Sequence, residues 1–171
     1  MRYFVITLPR SRSAWLAEWL GAAHEPLSRC ASLSELPDGG CVDTGSALFF
    51  PALWKRWPEA KYLFLFRDLA DIARSAISVG LPTEGLQRMR TAQEAAYVRV
   101  RKHDNVRPVW FSQLSDMDTL TRIWAFLKGA EHDEDRTRAM IETNIQCDPV
   151  AVLKGMDLGR TMALIQENAH V

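Results

Sequence analysis

Arg10, Ser11, Arg12 and Ser13 stand between an apolar run and a stretch with helical periodicity. A guanidinium binds phosphate or sulfate oxygens in pairs. A helix start adds unpaired N–H groups and the positive end of its dipole. Two arginines at that end repel it and each other, an arrangement that makes sense with a polyanion between them. As solvated loop residues they need no such partner, so the spacing alone leaves both readings open. No glycine lies between Met1 and Leu20; the G-x-x-x-x-G-K-S/T loop of ordinary ATPases and GTPases is absent. A second cation, Arg67, follows the apolar run KYLFLF, and Asp68 after it can cap a helix.

The elements that must hold these groups follow from pattern. Residues 3–8 are continuous and apolar or β-branched, as in a strand buried on both faces, and Pro9 stops them. Ser13 offers an N-cap oxygen to a helix whose Trp15, Leu16, Trp19, Leu20 and Ala23 share a face, ending near Ala23 before His24-Glu25-Pro26. An irregular stretch with one helical turn near Ser34 runs to Gly39-Gly40. Residues 41–44 form a short strand and 46–57 a helix containing Pro51. Residues 61–66 form the next strand. Asp68 caps a helix over 69–79, with Ile72, Ala73, Ala76 and Ile77 facing inward and Gly80 closing it. Thr83 caps a long helix over 84–103. Residues 106–111 form a strand that Pro108 confines to an edge or an early ladder position. Ser115 opens a helix to Lys128, the acidic run 132–135 caps one over 134–142, and short helical pieces broken by Gly155 and Gly159 follow Pro149. Alternating strands and helices predict a single α/β domain over residues 1–171. It has three layers, α/β/α, around a mainly parallel sheet of about four strands, with its ligand at the strands' carboxyl ends.

Composition bounds the partners. Basic and acidic residues number 21 each, which argues against a general nucleic-acid or membrane-surface binder. Arginine outnumbers lysine 16 to 5, a bias that suits oxyanion recognition but that a GC-rich genome also produces. Cys30, Cys41 and Cys147 are odd in number and form no C-x-x-C pair, so they read as reduced thiols. The first apolar run is too short for a signal-peptide core, and nothing approaches a membrane span. The expectation is a soluble, cytoplasmic protein without a metal site; His132 with residues 133–135 reads as a solvated helix start.

With both arginine loci in view, the chain resembles the sulfotransferases that use 3′-phosphoadenosine-5′-phosphosulfate (PAPS) as sulfuryl donor. Pro9-Arg10-Ser11-Arg12-Ser13-Ala14-Trp15-Leu16 is similar to that family's 5′-phosphosulfate loop, P-K/R-S-G-S/T-S/T-W/L-L. Residues 67–75, RDLADIARS, are similar to its 3′-phosphate motif R-D-P-x-D/E-V/I-x-x-S, with the arginine-to-serine spacing kept. The similarity spans roughly residues 3–128. It departs where Arg12 replaces a glycine, Ala14 a hydroxyl residue and Leu69 a proline, and the family's late R-K-G segment is at best echoed by Lys154-Gly155.

The resemblance implies a P-loop, nucleotide-kinase-like fold and a role for each matched residue. Arg10 would hold the 5′-phosphosulfate and stabilise the leaving phosphate. Backbone N–H groups of Ser11, Arg12, Ser13 and Ala14 would cradle it, with the Ser13 hydroxyl helping. Arg12 would point away from the cradle or add a second cation. Arg67 and Ser75 would take the 3′-phosphate, and Trp15 would stack on adenine, although its spacing with Trp19 equally suits a core tryptophan. Glu25, in a segment like the E-P-L/F of some carbohydrate sulfotransferases, is the candidate general base and His24 the runner-up; a polar helix exit without a role is the alternative. The implied acceptor is a small molecule or carbohydrate. The arginines of residues 81–104, Arg88 and Arg90 among them, are expected to flank its cleft and favour an anionic or sugar substrate; a solvated helix face is the alternative reading. Two alternatives remain: a nucleotide or small-molecule kinase, and a non-catalytic nucleotide-binding protein that keeps the fold.

Overall fold

The computed structural model describes residues 1–143 and 145. Cys147, Lys154-Gly155 and the tail after Pro149 lie outside them. Five parallel strands, β1 (Tyr3–Ile6), β2 (Ala23–His24), β3 (Gly40–Asp43), β4 (Lys61–Phe66) and β5 (Val106–Trp110), form one sheet in the order β2-β3-β1-β4-β5. Six helices surround it: α1 (Ser13–Leu20), α2 (Ser46–Arg56), α3 (Leu69–Ile77), α4 (Leu86–Val100), α5 (Met117–Lys128) and α6 (Glu134–Ile141).

The strands show why their sequence is apolar without alternating. Phe4, Ile6, Tyr62, Phe64 and Phe66 point to one face, where Phe49, Phe50 and Leu53 of α2 and Ala96 and Val100 of α4 cover them. Tyr3, Val5, Leu63 and Leu65 point to the other, under Trp15, Leu16, Trp19 and Leu20 of α1 and Leu120, Ile123 and Leu127 of α5. Each face of the pleat has its own helical layer, so both sets must be apolar. Central β1 and β4 therefore deliver their carboxyl ends, and Arg10 and Arg67 beyond them, to one edge of a rigid core.

Several boundaries differ from the sequence pattern. β1 stops at Ile6, because Leu8 leaves the ladder to pack with Ile72 and Leu86. Ser13 is the first helical residue of α1 and not its cap; Arg12 holds the cap position. α1 ends at Leu20 because Gly21 is left-handed at φ 59°, with Gly21 N–H donating to Glu18 O and Ala22 N–H to Ala17 O. Ala23 is thus freed to open β2, the fifth strand. In α3, Ile72 and Ala76 face inward as expected, while Ile77 is 67% exposed. Left-handed Gly85 starts α4 in place of Thr83, α4 stops at Val100, and the Asp116 carboxylate, accepting from Thr119 N–H, takes the α5 cap expected of Ser115. β5 is the edge strand that Pro108 demands. No helix among the described residues is long and apolar enough to cross a membrane.

Candidate functional site

The loop between β1 and α1 is built against ordinary preference. Arg10 and Arg12 are left-handed, at φ 60° and 61°, and Glu25 is too, at 52°; among the described residues no other non-glycine has positive φ. All three border the carboxyl end of β1 or β2. Strained backbone of this kind costs on the order of 1–3 kcal/mol per residue and persists where its surroundings dictate it. Helix α1 then begins with no side-chain cap and no acidic residue in its first turn. Its leading N–H groups are left to an external acceptor. Ser11 is fully buried, half-buried Ala14 sits in the first turn, and the Ser13 hydroxyl lies 3.1 Å from His24 Nε2. Arg12 turns away from the cradle: its guanidinium donates to Leu114 O at 3.4 Å and lies 5.9 Å from the Phe111 ring centre.

The loop after β4 meets this one. Arg67 donates to the Arg10 carbonyl, and Arg10 Nε donates to Ser75 Oγ at 3.1 Å. Residues 57 and 65 positions apart in the chain are thereby joined. Asp68 caps α3 by accepting from Ala70 and Asp71 N–H. The Arg67 guanidinium lies over Phe111 at 4.1 Å, and its Nε is buried with no hydrogen-bond partner among the described residues. Burial, and the nearby charges of Arg10, Arg12 and Arg74, work against the Arg67 cation; Asp71 supports it but is itself paired with Arg74. Among the described residues none of Arg10, Arg12 and Arg67 has a carboxylate within ion-pair distance. A desolvated, partnerless N–H donor in a cluster of cations is a site for an oxyanion.

Acidic groups gather on the other side of the loop. Glu25 receives Thr44 N–H at 3.2 and 3.3 Å and the Thr44 hydroxyl at 3.1 Å, and its Oε1 lies 3.5 Å from His24 Nε2. Buried Asp43 accepts from Leu27 N–H at 3.0 Å and Gly45 N–H at 2.8 Å. Burial raises Asp43 to about 6 against those hydrogen bonds. Burial first, and then the Asp43 charge, raise Glu25 to about 8, although Thr44 opposes the change. Burial first, and then the charge of Arg29, shift His24 down from the usual imidazole value. Among the described residues no group of three or more His, Cys, Asp or Glu side chains is placed to hold a metal.

Two expectations need correction. Trp15 is 1% exposed, donates its indole N–H to Met140 O at 2.7 Å and stacks on Trp19, so its face has no room for adenine. Arg90 does not flank a cleft: it is buried and donates to the Arg67 carbonyl, while Arg88 alone of the two is exposed. Sequence reasoning passed over Phe111, Asp43, Thr44 and Gln93. For Gln93 a signal existed, since Arg90 and Gln93 fall on the same helical stripe as Leu86, Ala96 and Val100.

No family model and no curated protein matches the chain. Among solved structures, it superposes on the crystal structure of a sulfotransferase from Alicyclobacillus acidocaldarius with a TM-score of 0.57, covering 96% of this chain and 95% of that one at 16% identity. The chain has a sulfotransferase fold. Arg10 and Arg67 lie just beyond the carboxyl ends of its central strands, the edge at which open α/β sheets bind ligands.

Proposed function

We propose that the chain is a sulfotransferase that transfers the sulfuryl group of PAPS to a hydroxyl or amine of a small-molecule or carbohydrate acceptor in the cytoplasm. The observation that carries this reading is the convergence of Arg10, Arg67 and Ser75 beside an uncapped helix start, with no carboxylate among the described residues in ion-pair contact with the two arginines. Two joined but distinct loci suit a donor with anions at both its 3′ and 5′ positions. The α1 N-terminus and Arg10 would hold the phosphosulfate; Arg67 and Ser75 would hold the 3′-phosphate.

In the reaction an acceptor oxygen or nitrogen bonds to sulfur in line as the bond from sulfur to the 5′-phosphate oxygen breaks. The electron pair leaves with that phosphate, where Arg10 and the loop N–H groups stabilise the growing charge. The acceptor proton goes to Glu25, whose raised pKa makes its ionised form a strong base close to neutral pH. His24, between Glu25 and Ser13, orders the polar groups beside the cradle. A non-catalytic nucleotide-binding protein is the second reading, favoured by the burial of Glu25.

Titration calorimetry with PAPS, adenosine 3′,5′-bisphosphate and ATP with magnesium tests the proposal. The expected result is binding of the first two and not the third. Binding of ATP with magnesium and none of the bisphosphate overturns it in favour of a kinase. Tight PAPS binding with no sulfuryl transfer to any of a broad acceptor panel establishes the second reading.

A further inference from the structure

Helix α4 carries two polar residues where a core helix should be apolar. Leu86, Arg90, Gln93, Ala96 and Val100 form its buried stripe, with Gln93 fully buried and Arg90 nearly so. Burying such groups costs several kcal/mol unless they are bonded, and here the Gln93 amide and both terminal nitrogens of Arg90 are hydrogen-bonded. Gln93 Nε2 donates to Ile6 O at 3.0 Å and to Leu65 O at 2.9 Å. Its Oε1 accepts from Arg90 at 3.3 Å, and Arg90 also donates to the Arg67 carbonyl. Arg90 Nε faces the exposed Glu94 carboxylate at 3.9 Å. The amide of Gln93 can point only one way, since the reverse would set its oxygen against two carbonyls.

The acceptors matter more than their number. Ile6 is the last residue of β1, whereas β4 runs on to Phe66 before reaching Arg67. The two strands part at this point, one turning into the Arg10 loop and the other into the Arg67 junction. Gln93 ties one carbonyl on each side of the parting, and Arg90 ties the first residue beyond it. An apolar pair would fill the same space without fixing the separation.

We propose that Arg90 and Gln93 are positioning residues that set the distance between the Arg10 cradle and the Arg67 locus, making the site selective for a nucleotide with anions at both positions over one with a single anion. The inference rests on the donor reading above. Its test is the ratio of two affinities, adenosine 3′,5′-bisphosphate against adenosine 5′-phosphate, measured by calorimetry on wild type, Gln93→Leu and Arg90→Lys. The ratio should fall roughly tenfold in either variant, equivalent to about one hydrogen bond's net contribution, through weaker bisphosphate binding. A residue that only supports the fold would lower the melting temperature and leave the ratio intact. Should Gln93→Leu fail to fold, the ratio in Arg90→Lys decides, because lysine keeps the charge but not the planar fork. Wild-type protein that binds neither nucleotide overturns the donor reading and this inference with it. Wild type that prefers the bisphosphate, with the preference undiminished in the folded variants, overturns the inference alone.

Discussion

The two strand–helix junctions of this site are made in opposite ways. After β4, Asp68 satisfies the first N–H groups of α3 with its own carboxylate, and the backbone there is ordinary. After β1, no side chain caps α1, and Arg10 and Arg12 are forced left-handed. The first junction is complete without a ligand, so any anion it takes must be held by side chains, Arg67 and Ser75. The second leaves the first N–H groups of α1 to water or to a bound anion. In the proposed function it is this junction, not the self-capped one, that receives the donor's phosphosulfate.

The largest expected effect separates the junctions by pH. The β1 side is backed by the buried Glu25–Asp43 pair, whereas the acids at the β4 side, Asp68 and Asp71, lie near the surface. The fold favours the protonated form of Glu25. Its contribution is therefore complete below the ordinary value of 4.5 and is lost as pH rises through about 8. Across that window stability should fall by up to about 1.4 kcal/mol per pH unit. Glu25→Gln should flatten the slope between pH 7 and 9, above the range of buried Asp43, as thermal unfolding will report. A slope that persists there in Glu25→Gln would place the titrating group elsewhere.

Next in size is the loss of Arg67. Arg67→Ala should weaken adenosine 3′,5′-bisphosphate by roughly 1.5–3 kcal/mol, the range for hydrogen bonds to charged groups. Adenosine 5′-phosphosulfate, without the 3′-phosphate, should lose less but not nothing, because Arg67 also holds the Arg10 carbonyl. Equal losses for the two nucleotides in calorimetry would mean that Arg67 serves the loop alone. Arg10→Ala, by contrast, should lower kcat beyond its effect on binding, since charge grows at the bond it faces only in the transition state.

The two junctions were unequally legible in the sequence. KYLFLF bounded by Arg67-Asp68 announces a strand, a stop and a cap, and β4 and the Asp68 cap fall where that pattern puts them. Side-chain capping is a local property written in residue type. At the β1 junction the decisive features are conformational: nothing in the letters of Arg12 says that it will be left-handed. The strand β2 has two residues, too few for any period. Trp15 and Trp19 share a face whether they meet a base or a core, and only the packing of α6, through Met140 and Thr137, decides for the core. Arg90 reads as a flank of the acceptor cleft and Gln93 carries no expected role, because a polar helix residue is usually exposed; the stripe they share with Leu86, Ala96 and Val100 is the sign of their burial.

A smaller effect probes the self-sufficient junction. Asp68→Ala removes the cap of α3 and should cost about 1 kcal/mol, measured by urea unfolding. Ser13→Ala should leave α1 with no capping loss, since the Ser13 hydroxyl faces His24. If the Ser13 variant is the less stable of the two, α1 is capped after all and the contrast collapses.

The smallest effect is also the most specific to the contrast, because it changes sign between the junctions. At Arg12 the left-handed backbone disfavours any side chain with a Cβ by about 1–2 kcal/mol. Glycine escapes that cost but loses roughly 0.5–1 kcal/mol of its own through the freer unfolded chain. Arg12→Gly should therefore unfold at higher urea than Arg12→Ala, by about 0.5–1 kcal/mol. Both variants lack the contacts to Leu114 O and Phe111, so those cancel. Ala70, in the first turn of α3, has no such strain, and Ala70→Gly should lower stability by a similar amount. Opposite signs at the two positions would locate the strain in the β1 loop. The same sign at both would mean that Arg12 reaches its conformation without cost, and that the loop is shaped by local preference and not for a ligand.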